Sequence, residues 1–115
     1  MIEVNKETIS KEHVDEWFAK WESLNSAIFA AHDRRDGSAT DLMEQGIELF
    51  EIFIAEGSVT DEPFKINAEY ELMPINGMER FQFIKARPSQ YACYRQLDEL
   101  FKETKKRCER LRLKK

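Results

Sequence analysis

The sequence predicts an all-α fold: a compact four-helix domain over residues 1–115 with a long basic helix at its C-terminal end. Residues that break helices are scarce, with 4 Gly and 3 Pro in the chain, and apolar residues recur at helical spacing in several long stretches. The hydrophobic content of 42% is far above that of disordered chains, and a chain of this length can build a core without disulfides or metals. One segment, near residues 58–73, is predicted to be extended.

Helix 1 is predicted from about residue 10 to residue 34. Ser10 is suited to the N-cap because its hydroxyl can accept a hydrogen bond from the first free backbone N–H groups. Gly37 is suited to end the helix in the left-handed conformation. The apolar stripe of this helix consists of Val14, Trp17, Phe18, Trp21, Leu24 and Ile28.

Helix 2 is predicted from about residue 39 to residue 56, and Gly57 is expected to end it. Ser38 and Asp41 have the spacing of a capping-box variant. The apolar residues cover an arc of roughly 160°, so we expect this helix to pack on more than one side at the centre of the domain. Gly46 lies within that arc. Because glycine costs about 1 kcal/mol relative to alanine in a helix, its presence there predicts a close approach by a second helix.

Residues 58–73 alternate between apolar and polar side chains, as a strand does. The other candidate strand is Ile2–Val4, and a lone two-stranded ribbon is marginally stable. We therefore favour an extended segment that lies across the helices with its apolar side chains turned inward, and a helix starting near Asp61 is the alternative. The apolar residues of this segment are Phe64, Ile66, Ala68, Tyr70 and Leu72.

Helix 3 is expected to begin after Asn76, which with Glu79 has the spacing of a capping box. Arg87 precedes Pro88 and is therefore disfavoured in the helical conformation, so the helix should break at that point. Its predicted inner face consists of Met78, Phe81 and Ile84.

Helix 4 is predicted from about residue 88 to residue 113, with Pro88 at its first position. Such a helix would be about 39 Å long, whereas a compact domain of this size is about 35 Å across. Its last turns are therefore expected to extend beyond the globule or to fray. Its predicted apolar stripe consists of Tyr94, Leu97, Phe101, Thr104, Cys108 and Leu111.

No catalytic or metal-binding motif is recognisable, so neither an enzyme activity nor a cofactor is expected. His13 and His32 lie about 28 Å apart on one predicted helix and cannot share an ion within one chain. Cys93 and Cys108 fall on or near the apolar stripe of helix 4, where a reduced and buried thiol is expected. The four glycines form no phosphate-binding loop.

Charge is distributed unevenly along the chain. Residues 1–62 hold 5 Lys and Arg against 15 Asp and Glu, whereas residues 63–115 hold 13 against 7. Acidic and basic helices could lie side by side and attract one another, or the basic residues could bind a partner. The candidate basic stripe of helix 4 is Arg95, Lys102, Lys106 and Arg110, and such a stripe could contact nucleic-acid phosphates.

A polar cluster is predicted at the corner between helices 3 and 4, formed by Arg80, Arg87, Tyr91 and Gln96. The N-terminus of helix 4 would add free amides and a dipole that favours an anion. Two interpretations stay open: the cluster is a binding surface, or its arginines bond carbonyls and acidic side chains and hold the corner together.

The region from Pro74 to Phe101 contains a characteristic set of residues. They are Pro74-Ile75-Asn76, Glu79-Arg80-Phe81, Phe83-Ile84, Arg87-Pro88-Ser89, Tyr91, Tyr94, Gln96-Leu97 and Glu99-Leu100-Phe101. This set resembles the C-terminal signature of the YpoC-like proteins of Gram-positive bacteria. The resemblance implies a small cytosolic bacterial protein without an established activity, and it adds weight to Arg80, Arg87 and Tyr91 as polar members of the signature. The family often has a histidine at the place of Gln90 or Ala92, so an essential histidine there is not expected.

These observations predict a cytoplasmic, non-enzymatic interaction or adaptor protein with an unidentified protein partner. The alternative is a nucleic-acid-associated accessory protein that uses the basic face of helix 4. No run approaches the roughly 20 apolar residues of a membrane helix, and no N-terminal signal segment is apparent, so no membrane partner is expected. Homodimerisation through exposed aromatic residues stays open.

Overall fold

The computed structural model describes residues 1–114 and contains four α-helices, so the predicted all-α fold is confirmed. They are α1 (Lys11–Arg34), α2 (Ala39–Glu56), α3 (Gly77–Ala86) and α4 (Tyr91–Leu113), and a 3-10 turn at Lys6–Thr8 precedes them. The predicted bounds of the first two helices agree with these ranges to within one residue. Over the part of the chain described, no helix is long and apolar enough to cross a membrane.

Stacked aromatic rings join the helices in the core. Helix α1 packs along α2, and α4 contacts each of the other three helices. The Trp21 ring of α1 stacks on the Phe101 ring of α4, with 4.2 Å between centroids and 6° between planes. Trp17, one turn earlier, stacks on Phe53 of α2 at 3.8 Å. Because each of these pairs joins two helices, the rings fix how the helices sit against one another.

Helix α2 packs on two sides, as its wide apolar arc predicts. It contacts both α1 and α4, and its Phe50 ring lies 5.1 Å from the Phe81 ring of α3. A Cβ atom built on Gly46 would lie 2.8 Å from the Trp21 ring and 3.3 Å from Leu97. The close approach predicted for this glycine is therefore confirmed, and it involves both neighbouring helices.

The N-terminal cap of α1 is confirmed, whereas its C-terminal stop lies earlier than predicted. The Ser10 hydroxyl accepts a hydrogen bond from the His13 backbone N–H at 3.2 Å. The left-handed residue that ends the helix is Arg35, with φ of 57°, and not Gly37, which lies two residues further on with φ of 81°.

The capping box predicted for α2 is absent. The Ser38 hydroxyl donates to Asp36 Oδ1 at 2.6 Å, and it makes no cap hydrogen bond to the helix. The Asp36 carboxylate, which also accepts from Arg34 at 2.8 Å, therefore takes the hydroxyl that the prediction assigned to the cap.

The boundary between α3 and α4 differs from the prediction in two details. Asn76 precedes α3, but its backbone is left-handed, with φ of 56°, and its side chain makes no cap hydrogen bond, so the capping box with Glu79 is wrong. The helix breaks at Arg87 as predicted, yet Pro88 belongs to a turn and α4 starts only at Tyr91.

The segment of residues 58–73 is extended with turns, so the alternative of a helix near Asp61 is wrong. It pairs with the N-terminal residues through two isolated bridges, Ile2 with Tyr70 and Val4 with Ser58. Tyr70 and Leu72 are buried, but Ile66 is 43% exposed, contrary to the predicted inward alternation. The left-handed turn at Asn67, with φ of 70°, interrupts the alternation at that point.

The end of α4 is anchored, so the expectation that its last turns overhang or fray is wrong. Leu111 is buried, and the Arg112 guanidinium donates to the Ile9 carbonyl at 2.8 Å. Arg107 Nε donates to the Glu71 carbonyl at 2.7 Å. Because α4 starts at Tyr91 and not at Pro88, it is also shorter than predicted, with 23 residues. Lys115, the last basic residue of the sequence, lies outside the described residues.

We predict that Gly46→Ala destabilises the protein by about 1–2 kcal/mol. Overpacking a filled core costs about 1–3 kcal/mol, and a Cβ atom 2.8 Å from the rigid Trp21 ring belongs in the upper part of that range. The gain in helix propensity, about 1 kcal/mol, offsets part of this cost. Urea denaturation measures the change. Gln45→Ala, at the exposed neighbouring position of α2, is the control and should leave stability within about 0.5 kcal/mol. An equally stable Gly46→Ala variant would contradict the close approach.

Candidate functional site

The four residues predicted at the corner between α3 and α4 do not form one cluster. Arg80 and Gln96 lie together, since Arg80 Nε donates to Gln96 Oε1 at 3.3 Å. Tyr91 instead packs against His32 of α1, with 5.4 Å between ring centroids. Arg87 is exposed at the break between the helices. The corner therefore has a paired side around Arg80 and an exposed side around Arg87 and Tyr91.

Arg80 joins α3 to α4 through a bidentate ion pair with Glu103. The two nitrogen–oxygen distances are 3.0 and 2.7 Å. The hydrogen bond from Arg80 lowers the pKa of the Glu103 carboxyl. A guanidinium with both edges engaged in this way has little capacity left for a ligand, so its contacts fit the corner-holding interpretation.

Tyr91 presents an exposed aromatic surface, and two neighbouring rings hold its side chain in place. Its ring is edge-on to His32 and also to Tyr94, at 5.5 Å between centroids, and the residue is 47% exposed. A tyrosine held by two neighbouring rings loses little side-chain entropy when a partner covers it. It is therefore well suited to be an anchor for a binding partner.

Both thiols are buried, as predicted. Burial raises the pKa of Cys93, and the nearby positive charge of Arg87 offsets only part of this effect. Burial raises the pKa of Cys108 to about 12. Both thiols are thus protonated near neutral pH, and a nucleophilic role needs the thiolate.

A buried carboxylate network between α1 and α4 was missed by the sequence reasoning. Asp98 Oδ1 accepts from the Trp21 indole N–H at 3.0 Å and from the Asn25 amide at 3.1 Å. Asp98 Oδ2 pairs with Lys102 at 2.9 Å. The Tyr94 hydroxyl donates to Asn25 Oδ1. The one available signal was an Asp at position 98, because its neighbours one helical turn before and after are the apolar Tyr94 and Phe101.

The predicted basic stripe of α4 is exposed along its length, at Arg95, Lys102, Lys106 and Arg110. Lys102 is paired with the buried Asp98. In residues 1–114, no carboxylate lies within 4.0 Å of the cationic nitrogens of the other three residues. Their charge is therefore available to a partner.

Metal ligands do not converge within the described chain. No group of three or more His, Cys, Asp or Glu side chains in residues 1–114 could hold an ion. His13 stacks on Phe53, with 6.1 Å between centroids, and His32 packs between tyrosines.

Comparison with known proteins relates most of the chain to one family. A model described as "YpoC-like protein" matches residues 11–115. The "Uncharacterized protein YpoC" of Bacillus subtilis (strain 168) is 54% identical over 37 residues, which are 32% of this chain and 23% of that protein. The match thus spans about a quarter of the length of this curated relative. No solved structure matches.

We predict that Arg80→Ala lowers stability by about 1 kcal/mol at pH 7, the upper range for a partly exposed ion pair. The Glu103 pKa is below its usual 4.5 in the folded state, so the contribution of the pair is present above pH 4.5 and is lost as the pH falls below it. Urea denaturation of both proteins at pH 7 and pH 3 should show a difference that shrinks in acid. Arg95→Ala removes an arginine of α4 that has no ion pair within residues 1–114, and this variant should show no such pH dependence.

We predict that Asp98→Ala costs about 1–3 kcal/mol, since it leaves the buried Trp21 indole N–H without an acceptor. Thermal unfolding measures the loss, and tryptophan fluorescence should change with it. Glu99→Ala, which removes the adjacent exposed carboxylate, is the control and should stay within about 0.5 kcal/mol of wild type. Equal stability of the two variants would mean that the network contributes nothing.

Proposed function

The chain belongs to the YpoC-like proteins, and for this member we propose a non-enzymatic role as a protein-interaction module that binds an acidic partner protein. We assign the binding to the α4 surface, defined as Arg87, Tyr91, Arg95, Lys106 and Arg110. The two protonated, buried thiols support the non-enzymatic part of the proposal.

The observation that carries the proposal is that the two charged halves of the chain do not neutralise each other. Within residues 1–114, two ion pairs cross from the acidic residues 1–62 to the basic remainder: Glu62–Lys65 and Glu51–Lys85. The first joins near neighbours and the second joins α2 to α3, so neither involves α4. The exposed cations of α4 therefore keep a field that can steer an acidic partner and set its orientation.

Tyr91 supplies the second element that a protein interface needs. It lies one helical turn before Arg95, so the ring and the guanidinium share a face of α4. Aromatic and arginine side chains dominate binding energy at protein interfaces. Arg87, exposed just before the helix, extends this surface across the corner.

Nucleic acid is the second candidate, favoured by the spacing of Arg95, Lys102, Lys106 and Arg110 along one exposed stripe. Two exposed carboxylates, Glu99 and Glu109, lie on the same outer side of the helix. A phosphate backbone is negative throughout and would be repelled by both, whereas a protein surface can place a cation or a neutral group opposite each one. The interspersed carboxylates therefore favour a protein partner.

We predict that the double variant Arg87→Ala, Tyr91→Ala loses a partner that the wild type captures from a nuclease-treated lysate of the source organism. The captured protein, identified by mass spectrometry and purified, should bind wild type directly and bind the variant at least tenfold more weakly. Lys20→Ala, Ile75→Ala removes another exposed cation and another exposed apolar residue and is the matched control. Circular dichroism confirms that all three proteins fold.

The nucleic-acid alternative makes a different prediction for salt dependence. Fluorescence anisotropy with a 20-base-pair DNA duplex and with its single strands would show affinity falling by orders of magnitude between 50 and 200 mM salt if several phosphates are contacted. Binding that depends on Lys106 and Arg110 and falls in this way would favour nucleic acid over the acidic partner protein. Capture unaffected by the Arg87 and Tyr91 substitutions would contradict the proposed surface.

A further inference from the structure

An open groove lies between α2 and the segment that follows it, far in sequence from the α4 surface. Its volume is about 620 Å³. Apolar side chains of Ile52, Ala55 and Phe64 line it, together with the carboxylates of Glu48, Glu56 and Asp61. We call this feature the acidic groove.

The negative charge of the acidic groove is largely unneutralised. Among residues 1–114, no lysine or arginine lines it. Two further lining carboxylates have a cation, since Glu51 pairs with Lys85 at 2.6 Å and Glu62 pairs with Lys65. Glu48, Glu56 and Asp61 have no cationic nitrogen within 4.0 Å in the chain from residue 1 to residue 114. These three carboxylates are therefore free to pair with cations of a binding partner.

The groove also exposes apolar surface that small cations would leave uncovered. Ile52 is 46% exposed, although the next two residues of α2, Phe53 and Ile54, are buried. Ile52 and Glu56 line a second depression as well, of about 280 Å³, whose wall includes Trp17 of α1. The apolar floor therefore continues from the acidic groove towards α1.

We propose that the acidic groove is a docking site for a basic amphipathic segment of another protein. Its lysine or arginine side chains would meet Glu48, Glu56 and Asp61, and its apolar side chains would cover Ile52 and Phe64. Helical segments with one apolar face are recognised by grooves of this kind. The partner has the opposite charge to the one proposed for the α4 surface, so the two surfaces select different proteins and are tested independently.

Binding is tested with a 14-residue peptide of lysine and leucine, arranged as an amphipathic helix, and with the same peptide carrying glutamate for lysine. Two-dimensional ¹⁵N NMR of the full chain should show shifts from the lysine peptide concentrated at residues 48–64, and none from the glutamate peptide. Ile52→Asn should raise the Kd roughly tenfold, the effect of losing a half-buried isoleucine contact. Ile66→Asn, a change at an isoleucine of nearly equal exposure (43%) that does not line the groove, is the matched control.

The charge requirement is tested by removing two unpaired carboxylates of the groove. Glu48→Gln, Glu56→Gln should weaken binding and flatten its salt dependence, whereas Glu12→Gln, Glu22→Gln on α1 should change neither. The proposal would be overturned if the two double variants lost the same affinity for the lysine peptide. It would also be overturned if the NMR shifts were spread over the whole acidic surface. It would also be overturned if sedimentation equilibrium showed self-association of the free protein that Ile52→Asn abolishes, since the occupant would then be a second copy of the chain.

Discussion

The stacking of Phe101 on Trp21 is the contact on which the rest of the structure depends. It brings α4 against α1 with nearly parallel rings, and it is compatible with α2 only because Gly46 has no side chain where the Trp21 ring passes. The same placement carries Asp98 to the Trp21 indole N–H. One geometric constraint thus positions three helices and the buried carboxylate at the same time.

Apolar contacts and a few bonds to backbone carbonyls hold this molecule together, and few charged pairs do so. Arg80 and Glu103 tie α3 to α4, and Lys85 and Glu51 tie α3 to α2. The remaining charged side chains are not needed to join the helices. Acidic side chains are therefore left exposed on α2, and basic side chains are left exposed on α4. A protein built in this way presents an acidic surface on α2 and a basic surface on α4.

The helices and the buried stripe of α4 were predictable because both follow from a local period of 3.6 residues. The same period placed Gly46 within the apolar arc of α2, and this position predicted that a second helix passes close to it. Helix ends were less predictable, because Ser38 has an alternative partner in Asp36 and because Asn76 adopts a left-handed backbone. At such ends, a few local hydrogen bonds compete with almost equal energy.

The candidate site was predictable only in part, because its pairings connect distant positions. Arg80 was predicted at the corner, but its partner Glu103 lies 23 residues further on. Asp98 is 77 residues from the indole that it binds, and no spacing rule in one sequence reports such a pair. The rings that support Tyr91 are likewise distant in part, since His32 lies on α1.

Since α4 contacts every other helix, the order of synthesis has a consequence for how this protein folds. The ribosome makes α1, α2 and α3 before the helix that covers their apolar faces. Until Phe101 emerges, Trp17 and Trp21 have no ring from α4 to stack on, so the nascent chain is held in a partly exposed state. Completion of the core therefore has to wait for α4, and the bond from Arg112 to the Ile9 carbonyl can close only after this helix has emerged.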